Sequence, residues 1–476
     1  MRQNGKDPEV QKNPRSILVM DIGTSALKGG IIDENGRLLD WGKVHFEIRS
    51  SGEYRKWNPR RWVEACAQLC AGLDGVEKAA AVVISGNGPS LVPLDEDGEP
   101  SAEVLLWIDG RESRKEGTFS FFLPKAAWFA ENRREEYKKT RMFLGSPEYL
   151  SFVLCGERAA FTPSNEFGRY IWTGEEIDAY GLSRKQFPPL VKTGTVLGGV
   201  TGRAADELGL SPGIPVISGG YDFLMALLGS GTVEPGITCD RTGTSEGINC
   251  CSKEPVSHPR IRTLPHAVEG YYNAAGILSS TGLIFEWFRR LTGQQHRNYE
   301  EMLEDIRRVE GESGPPYFFP SLHRGAVWEF SGGAFTGLEA DHGAEEMGRA
   351  VVHSIGFGIY NLIETLEQKG CNISSLRVSG GQGKNSVWNQ MKSDMTGKCV
   401  EIPAIIDAEL TGCAVAGYSA LDKGDLVETA RRLVRIEEVF YPDAALHRLY
   451  REQYGEYERI CEGMLPAFLT QEGNQP

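Results

Sequence analysis

Residues 16–33 read SILVMDIGTSALKGGIID. An apolar run, Ile17–Met20, leads through Asp21 into a Gly23-Thr24-Ser25 turn, and a second strand-like run follows at Lys28–Ile32. Asn35-Gly36 then marks a hairpin turn. The Gly-Thr-Ser turn therefore joins strand to strand. A Walker-type loop or a dinucleotide fingerprint would open a helix instead, so neither is present here. The pattern returns in GITCDRTGTSEGINCC, residues 236–251, where Gly243-Thr244-Ser245 lies 220 residues (243 − 23) after the first turn. A further element, an apolar strand ending Ser-Gly, occurs as VVISGNG at Ser85, PVISGGYD at Ser218 and LRVSGGQG at Ser379. Recurrence in the same strand context points to two related α/β halves facing a cleft.

The chain has 476 residues, which is too many for one core and fits two large domains. Its 51 Lys and Arg against 65 Asp and Glu give a net charge of −14, which argues against nucleic-acid or anionic-membrane partners. The 10 cysteines form no Cys-x-x-Cys and read as reduced thiols, and the 8 histidines form no zinc motif. Residues 1–14 lack the apolar stretch of a signal peptide and read as a frayed tail, and no run is long enough to span a membrane. A cytoplasmic location is expected. Arg60–Leu73, Arg349–Lys369 and Ser386–Thr396 read as helices, as does ELTGCAVAGYSAL, whose small residues suit close packing. Ile436 to Leu469 reads as amphipathic helix and surface.

A tight Gly-Thr-Ser turn aims several N–H groups into one concavity, to which Thr24 and Ser25 add hydroxyls and Lys28 a charge. That arrangement suits phosphate, and Asp21 at the strand end suits Mg²⁺ held through water. The second turn, TGTSEG, suits the other end of a polyphosphate. In PVISGGYDFLMALLGSG, residues 215–231, Asp222 stands where a buried strand becomes a buried helix. It reads either as a helix cap or as a catalytic acid at the carboxyl end of a strand, where open α/β sheets place their chemistry.

Taken in order along the chain, these segments resemble the FGGY carbohydrate kinases, a family that includes xylulose, glycerol and gluconate kinases. The resemblance runs from about Ser16 to Leu469. DIGTSALKG is similar to the family's first phosphate loop, LLWIDGRE to its Trp-x-Asp-x-Arg pattern at Trp107, Asp109 and Arg111, and TGTSEG to its second phosphate loop. GILSSTGLIFEWF resembles a nucleotide-contacting turn and helix, which implies roles for Gly282 and Glu286. SGGQGKNSVWNQMKSD resembles the Gly-rich adenosine segment, which implies Gly381, Gln382 and Asn385. GAFTGLEADHGAEEMGRAVVH keeps the spacing of a family signature.

The resemblance implies an α/β fold of two ribonuclease-H/actin-like domains flanking a central cleft. It further implies ATP and Mg²⁺, a small sugar substrate, and a homodimer. Residues 15–247 would carry the sugar site and the catalytic Asp222, and residues 248–476 the ATP site. Asp222 would orient the sugar hydroxyl and accept its proton. A carboxylate of ordinary pKa near ~4 suffices as base, because the transition state is loose and deprotonation comes late.

The departures from the family pattern fall in the substrate loops. Asn87, Gly88 and Pro89 stand where many members carry Gln and a polar or basic pair, Lys56 stands where an acid is usual, SLHRGAVWEF replaces a Glu-Arg-x-Pro segment, and His353 replaces an acid. A ketopentose such as xylulose is the expected acceptor, with another ketose, an aldonate or a polyol as alternatives. An actin-like ATPase and a binding protein without turnover are the readings of a different class.

Overall fold

The computed structural model describes residues 15–46, 49–51, 54–309, 314–321 and 330–472, with side chains described for all of these except 49–56 and 465–472. The expected N-terminal tail, the side chain of Lys56 and most of SLHRGAVWEF lie outside the described residues.

The first turn is built as the sequence predicts. Strand β1 (Ser16–Ile22) pairs antiparallel with β2 (Ala26–Asp33), which pairs with β3 (Leu38–His45). On the other side of β1 lie β4 (Val82–Gly86) in parallel, then β6 (Pro215–Tyr221) in parallel, then β5 (Val196–Gly199) antiparallel. Side chains of β1 alternate between two cores: Ile17 and Val19 enter one, while Leu18, Met20 and Ile22 enter the other. A strand covered on both faces must be apolar throughout, which is why this stretch reads as a continuous run.

The second sheet repeats the plan. Strand β7 (Gly236–Thr242) pairs antiparallel with β8 (Glu246–Ser252), β8 with β10 (Tyr272–Leu278), and β10 with β9 (Arg262–Pro265). On the other side lie β11 (Ile373–Ser379) and β12 (Cys399–Pro403) in parallel, then β13 (Ile436–Phe440) antiparallel. The orders β3-β2-β1-β4-β6-β5 and β10-β8-β7-β11-β12-β13 correspond strand for strand, including their directions.

The sheets change earlier than the sequence reading placed the boundary. Residue 247 falls inside β8, and the second sheet already begins at Gly236. Residues 436–440, expected to be helical, form the edge strand β13. Glu437 and Glu438 face solvent there, and a charged edge resists pairing with other chains.

Helix α1 (Arg60–Gly72) covers the first sheet, and α2 (Ser146–Cys155) packs on β4 and β6. Helix α3 (Asp222–Gly229) follows β6 directly. In the second half come α4 (Thr281–Leu291), α5 (Ala344–Gln368), α6 (Ser386–Thr396), α7 (Ala408–Asp422) and α8 (Ala444–Glu472). The small-residue helix is α7, and it lies against α3 and the first sheet. A Cβ on Gly229 would sit 1.8 Å from the Ala408 carbonyl oxygen, and one on Gly412 would sit 1.9 Å from that of Met225. The two helices thus touch backbone to backbone, which holds the starts of both at the junction of the halves. The Tyr418 hydroxyl of α7 reaches back to share its proton between the carbonyls of Arg15, at 2.7 Å, and Ile32, at 3.0 Å.

All 10 cysteines are free thiols. Among the described residues, no helix is long and apolar enough to cross a membrane.

Candidate functional site

The carboxyl ends of β1, β4 and β6 meet the carboxyl end of β7 and the amino end of β8 across a cavity of about 750 Å³. It is lined by Asp21, Gly23, Thr24 and Lys28 from the first turn and by Asn87, Gly88, Pro89 and Trp107 from the N-terminal loops. Asp222 from α3, Gly243 and Thr244 from the second turn, and Arg241 and Glu409 complete its inner end. Asp222 is the first residue of α3. Its Oδ1 accepts from the Phe223 N–H at 2.7 Å, and its Oδ2 accepts from Arg241 Nη2 at 2.9 Å. Asp222 is thus the first helical residue and not the cap, which is Tyr221 without a side-chain cap bond, and its Oδ2 meets a cation from the opposite half.

Arg241 also lies 3.2 Å from Glu409 Oε1. Burial opposes the guanidinium charge, but Asp222 and Glu409 overcome it and hold Arg241 more strongly protonated than usual. Asp21 is buried, and its Oδ1 accepts from Ser85 Oγ at 2.6 Å. Burial and the nearby Glu409 and Asp222 charges push its carboxyl up to about 7. Lys28, expected to add charge to a phosphate site, is paired with Asp407. Trp107 Nε1 donates to Thr24 Oγ1 at 3.0 Å, which steadies the first turn. Asn87 is buried, and its Oδ1 accepts from Ser90 Oγ at 2.6 Å. Its Nδ2 has no hydrogen-bond partner among the described residues. Gly88 lies flat on the Tyr221 ring, where a Cβ would approach to 2.4 Å.

A second cavity, of about 640 Å³, lies wholly in the C-terminal half. Gly243, Gly282, Gly381, Gln382 and Asn385 line it together with Phe285, Tyr299 and Val352. Gly243 borders both cavities and so marks their junction. Glycines let the surrounding turns close on one another. A Cβ on Gly282 would stand 2.3 Å from the Gly243 oxygen, and Gly380, at φ 101°, would bring one to 2.2 Å from the Thr242 oxygen. Gln382 Nε2 donates to the Gly243 oxygen at 3.4 Å, and Asn385 caps α6 by accepting from the Trp388 N–H at 3.0 Å. Beneath this junction Lys392 is fully buried between Asp240 of β7 and Glu246 of β8, and so clamps both strands of the second turn.

Three residues expected at the site line neither cavity: Ser25, Asp109 and Glu286. Burial works against the Asp109 charge, yet the Arg111 side chain and N–H hold its carboxyl below the usual range. Glu286 accepts from Arg289 and from Tyr299, so it stands behind the cavity wall. Arg241 and Glu409 were not anticipated. Their signals were the charged pair Asp240-Arg241 inside a strand and an acid opening a small-residue helix.

Similarity to known proteins follows this geometry. The model of the FGGY family of carbohydrate kinases, N-terminal domain, matches residues 16–120 and 116–229, and that of its C-terminal domain matches residues 241–421. An autoinducer-2 kinase of Klebsiella pneumoniae is 28% identical, covering 95% of this chain and 96% of the relative. A xylulose kinase of Staphylococcus epidermidis is 25% identical, covering 93% and 96%. The crystal structure of xylulose kinase from Rhodospirillum rubrum superposes with a TM-score of 0.81 at 21% identity, covering 95% of this chain and all of that one. Two sheets of one plan, a cleft between their strand ends and family models spanning both halves lead to one conclusion: the chain belongs to the FGGY family of carbohydrate kinases and is an ATP-dependent sugar kinase.

Proposed function

We propose that this kinase binds ATP with its adenosine in the cavity of the C-terminal half and its phosphates across Gly243. The acceptor sugar would lie in the larger cavity with one hydroxyl on Asp222. The observation that carries this reading is that Asp222 and both Gly-Thr-Ser turns line one cavity, which Gly243 joins to the other. Asp222 Oδ2 accepts the hydroxyl proton as the sugar oxygen bonds to the γ-phosphorus, and the bond from phosphorus to the bridging oxygen breaks to release ADP. N–H groups of the turns at Gly23 and Gly243 receive the phosphate charge. The unpartnered Asn87 Nδ2 donates to a second acceptor oxygen, which orients the sugar.

Among the described residues, no group of three or more His, Cys, Asp or Glu side chains forms a metal cage. The donors instead fit Mg²⁺ held by few protein oxygens, with Asp21 as the carboxylate and the rest supplied by water and phosphate. Held there, Mg²⁺ would offset the crowding of Asp21, Asp222 and Glu409 and would supply charge neutralisation to the phosphates. A ketopentose such as xylulose, the acceptor that some of the relatives are named for, is the first to try, with another ketose, an aldonate or a polyol beside it. The location is cytoplasmic.

The test is ADP release with Mg-ATP over a panel of ketoses, aldonates and polyols. Release that depends on one acceptor, with the phosphorylated sugar formed in equal amount, supports the reading. ADP release that no acceptor changes favours an actin-like ATPase. No release and no acceptor binding favours neither kinase nor ATPase.

A further inference from the structure

Beyond the reacting centre, the acceptor cavity is walled on one side by alternate residues of the second sheet: Asn249 of β8, Asn273, Ala275 and Ile277 of β10, and Arg262 and Leu264 of β9. Arg262 stands apart from the other cavity-lining cations. Lys28 is paired with Asp407, and Arg241 with Asp222 and Glu409. The exposed side chain of Arg262 forms no hydrogen bond and no ion pair among the described residues. Its guanidinium instead lies 4.8 Å from the ring centroid of Phe121, which belongs to the opposite half. Stacking of this kind fixes the plane of the guanidinium and leaves its N–H edge unused.

The aromatic group beneath it carries more charge of the same sign. Phe121 packs on Tyr170 with centroids 5.4 Å apart, and Tyr170 on Phe119 at 6.2 Å. Arg169 lies 3.6 Å over Phe119, again without a hydrogen bond or ion pair among the described residues. Arg262 is an exposed residue of β9; partial desolvation at the wall disfavours its charge, Tyr170 opposes that, and the nearby Arg114 disfavours it further. Both arginines are exposed, and no acid among the described residues is paired with either. A fixed, unpaired guanidinium fork at a cavity wall is suited to an oxyanion.

We infer that the acceptor carries a carboxylate or phosphate group, bound by the Arg262 guanidinium at the end of the cavity away from Asp222. This inference rests on the kinase reading and narrows its acceptor. Sugar acids and sugar monophosphates have the required group, whereas xylulose lacks it.

The experiment compares kcat and KM for matched acceptors: neutral ketoses and polyols, the corresponding sugar acids, and sugar monophosphates. Each is run with the wild-type chain, Arg262→Met, which keeps bulk on Phe121, and Arg262→Lys, which keeps charge. Melting shifts by the same compounds without ATP give a readout of binding alone. The preference of the wild type for an oxyanion-bearing acceptor should fall about tenfold to a hundredfold in Arg262→Met through KM, with Arg262→Lys recovering part of it. Which series responds distinguishes carboxylate from phosphate. Turnover of neutral sugars alone leaves the kinase reading standing and overturns this inference. An equal fall in kcat for every acceptor also overturns it, because Arg262 then serves only to join the halves. No turnover and no melting shift with any compound overturns both readings.

Discussion

Arg241 is the residue on which the inner end of the site turns. It comes from the C-terminal half and holds Asp222 of the N-terminal half at 2.9 Å, with Glu409 on its other side. Replacing it by Met keeps much of its bulk but leaves two carboxylates facing each other and lets Asp222 swing. The expected result for Arg241→Met is a fall in kcat of about a hundredfold or more with a smaller change in KM, since a misaligned base and lost phosphate charge act at the transition state. Arg241→Lys should recover part of the loss. Steady-state kinetics with the best acceptor decide this, and a kcat within threefold or so of wild type would remove Arg241 from the account. At this scale the sequence was partly legible. Asp21, Thr24, Asn87, Asp222 and Gly243 were marked by their place at strand ends, and the structure gathers them into one cavity. Asp109 was read as a site residue from the resemblance of LLWIDGRE to a Trp-x-Asp-x-Arg pattern, but its carboxylate accepts from Arg111 and it does not line the cavity. Arg241 and Glu409 meet only because two helices and two sheets converge, which local pattern does not encode.

Among the elements, the join of β6 and α3 deserves the closest physical test. Glu148 of α2 is buried, and its Oε1 accepts from the Phe161 N–H at 3.0 Å and from the Tyr221 hydroxyl at 2.9 Å. Tyr221 immediately precedes Asp222 and carries Gly88 on its ring, so this acid steadies both the proposed base and the loop at Gly88. Burial pushes the Glu148 carboxyl up to about 7 from 4.5. Between these values the unfolded chain gives up the proton and the folded chain keeps it. The contribution of Glu148 is therefore full below about pH 4.5, falls as pH rises through about 7, and is level above that. Over the whole range the loss is about 3 kcal/mol. Glu148→Gln can still accept both hydrogen bonds but has no charge to bury. The melting temperature of Glu148→Gln relative to wild type should thus be higher at pH 8 than at pH 5. An equal difference at both pH values would show that Glu148 does not titrate with folding. Elements were the most legible level of this sequence. The helix at Ser386–Thr396 and both Gly-Thr-Ser hairpins stand where strand and helix periodicities put them. The strand at Ile436–Phe440 was hidden, because five residues beside a long amphipathic helix carry too little period of their own and are fixed by pairing with β12.

For the whole molecule, the doubled sheets place the larger cavity between two halves joined by ion pairs and by the α3–α7 crossing. Lys28–Asp407 and Arg241–Asp222 both bridge from one half to the other. Closure about the α3–α7 contact would exclude water from the phosphoryl group. Small-angle scattering should show compaction with an ATP analogue and the true acceptor together, and no compaction under both ligands would remove closure from the mechanism. The repeat itself was visible in the sequence, since Gly23 and Gly243 sit in the same strand context. The position of the change between sheets was not, because Gly236–Thr242 reads equally well as a strand of either half until its partners are known.

The central claim is that Asp222 takes the proton of the acceptor hydroxyl. Its most direct test is Asp222→Asn, with acceptor-dependent ADP release measured beside ATP binding. The amide keeps the size of the side chain and can still accept from the Phe223 N–H, so the nucleotide cavity is undisturbed. The account predicts a kcat at least about a hundredfold lower with ATP affinity unchanged. Acceptor-dependent turnover at the wild-type rate in Asp222→Asn would contradict it.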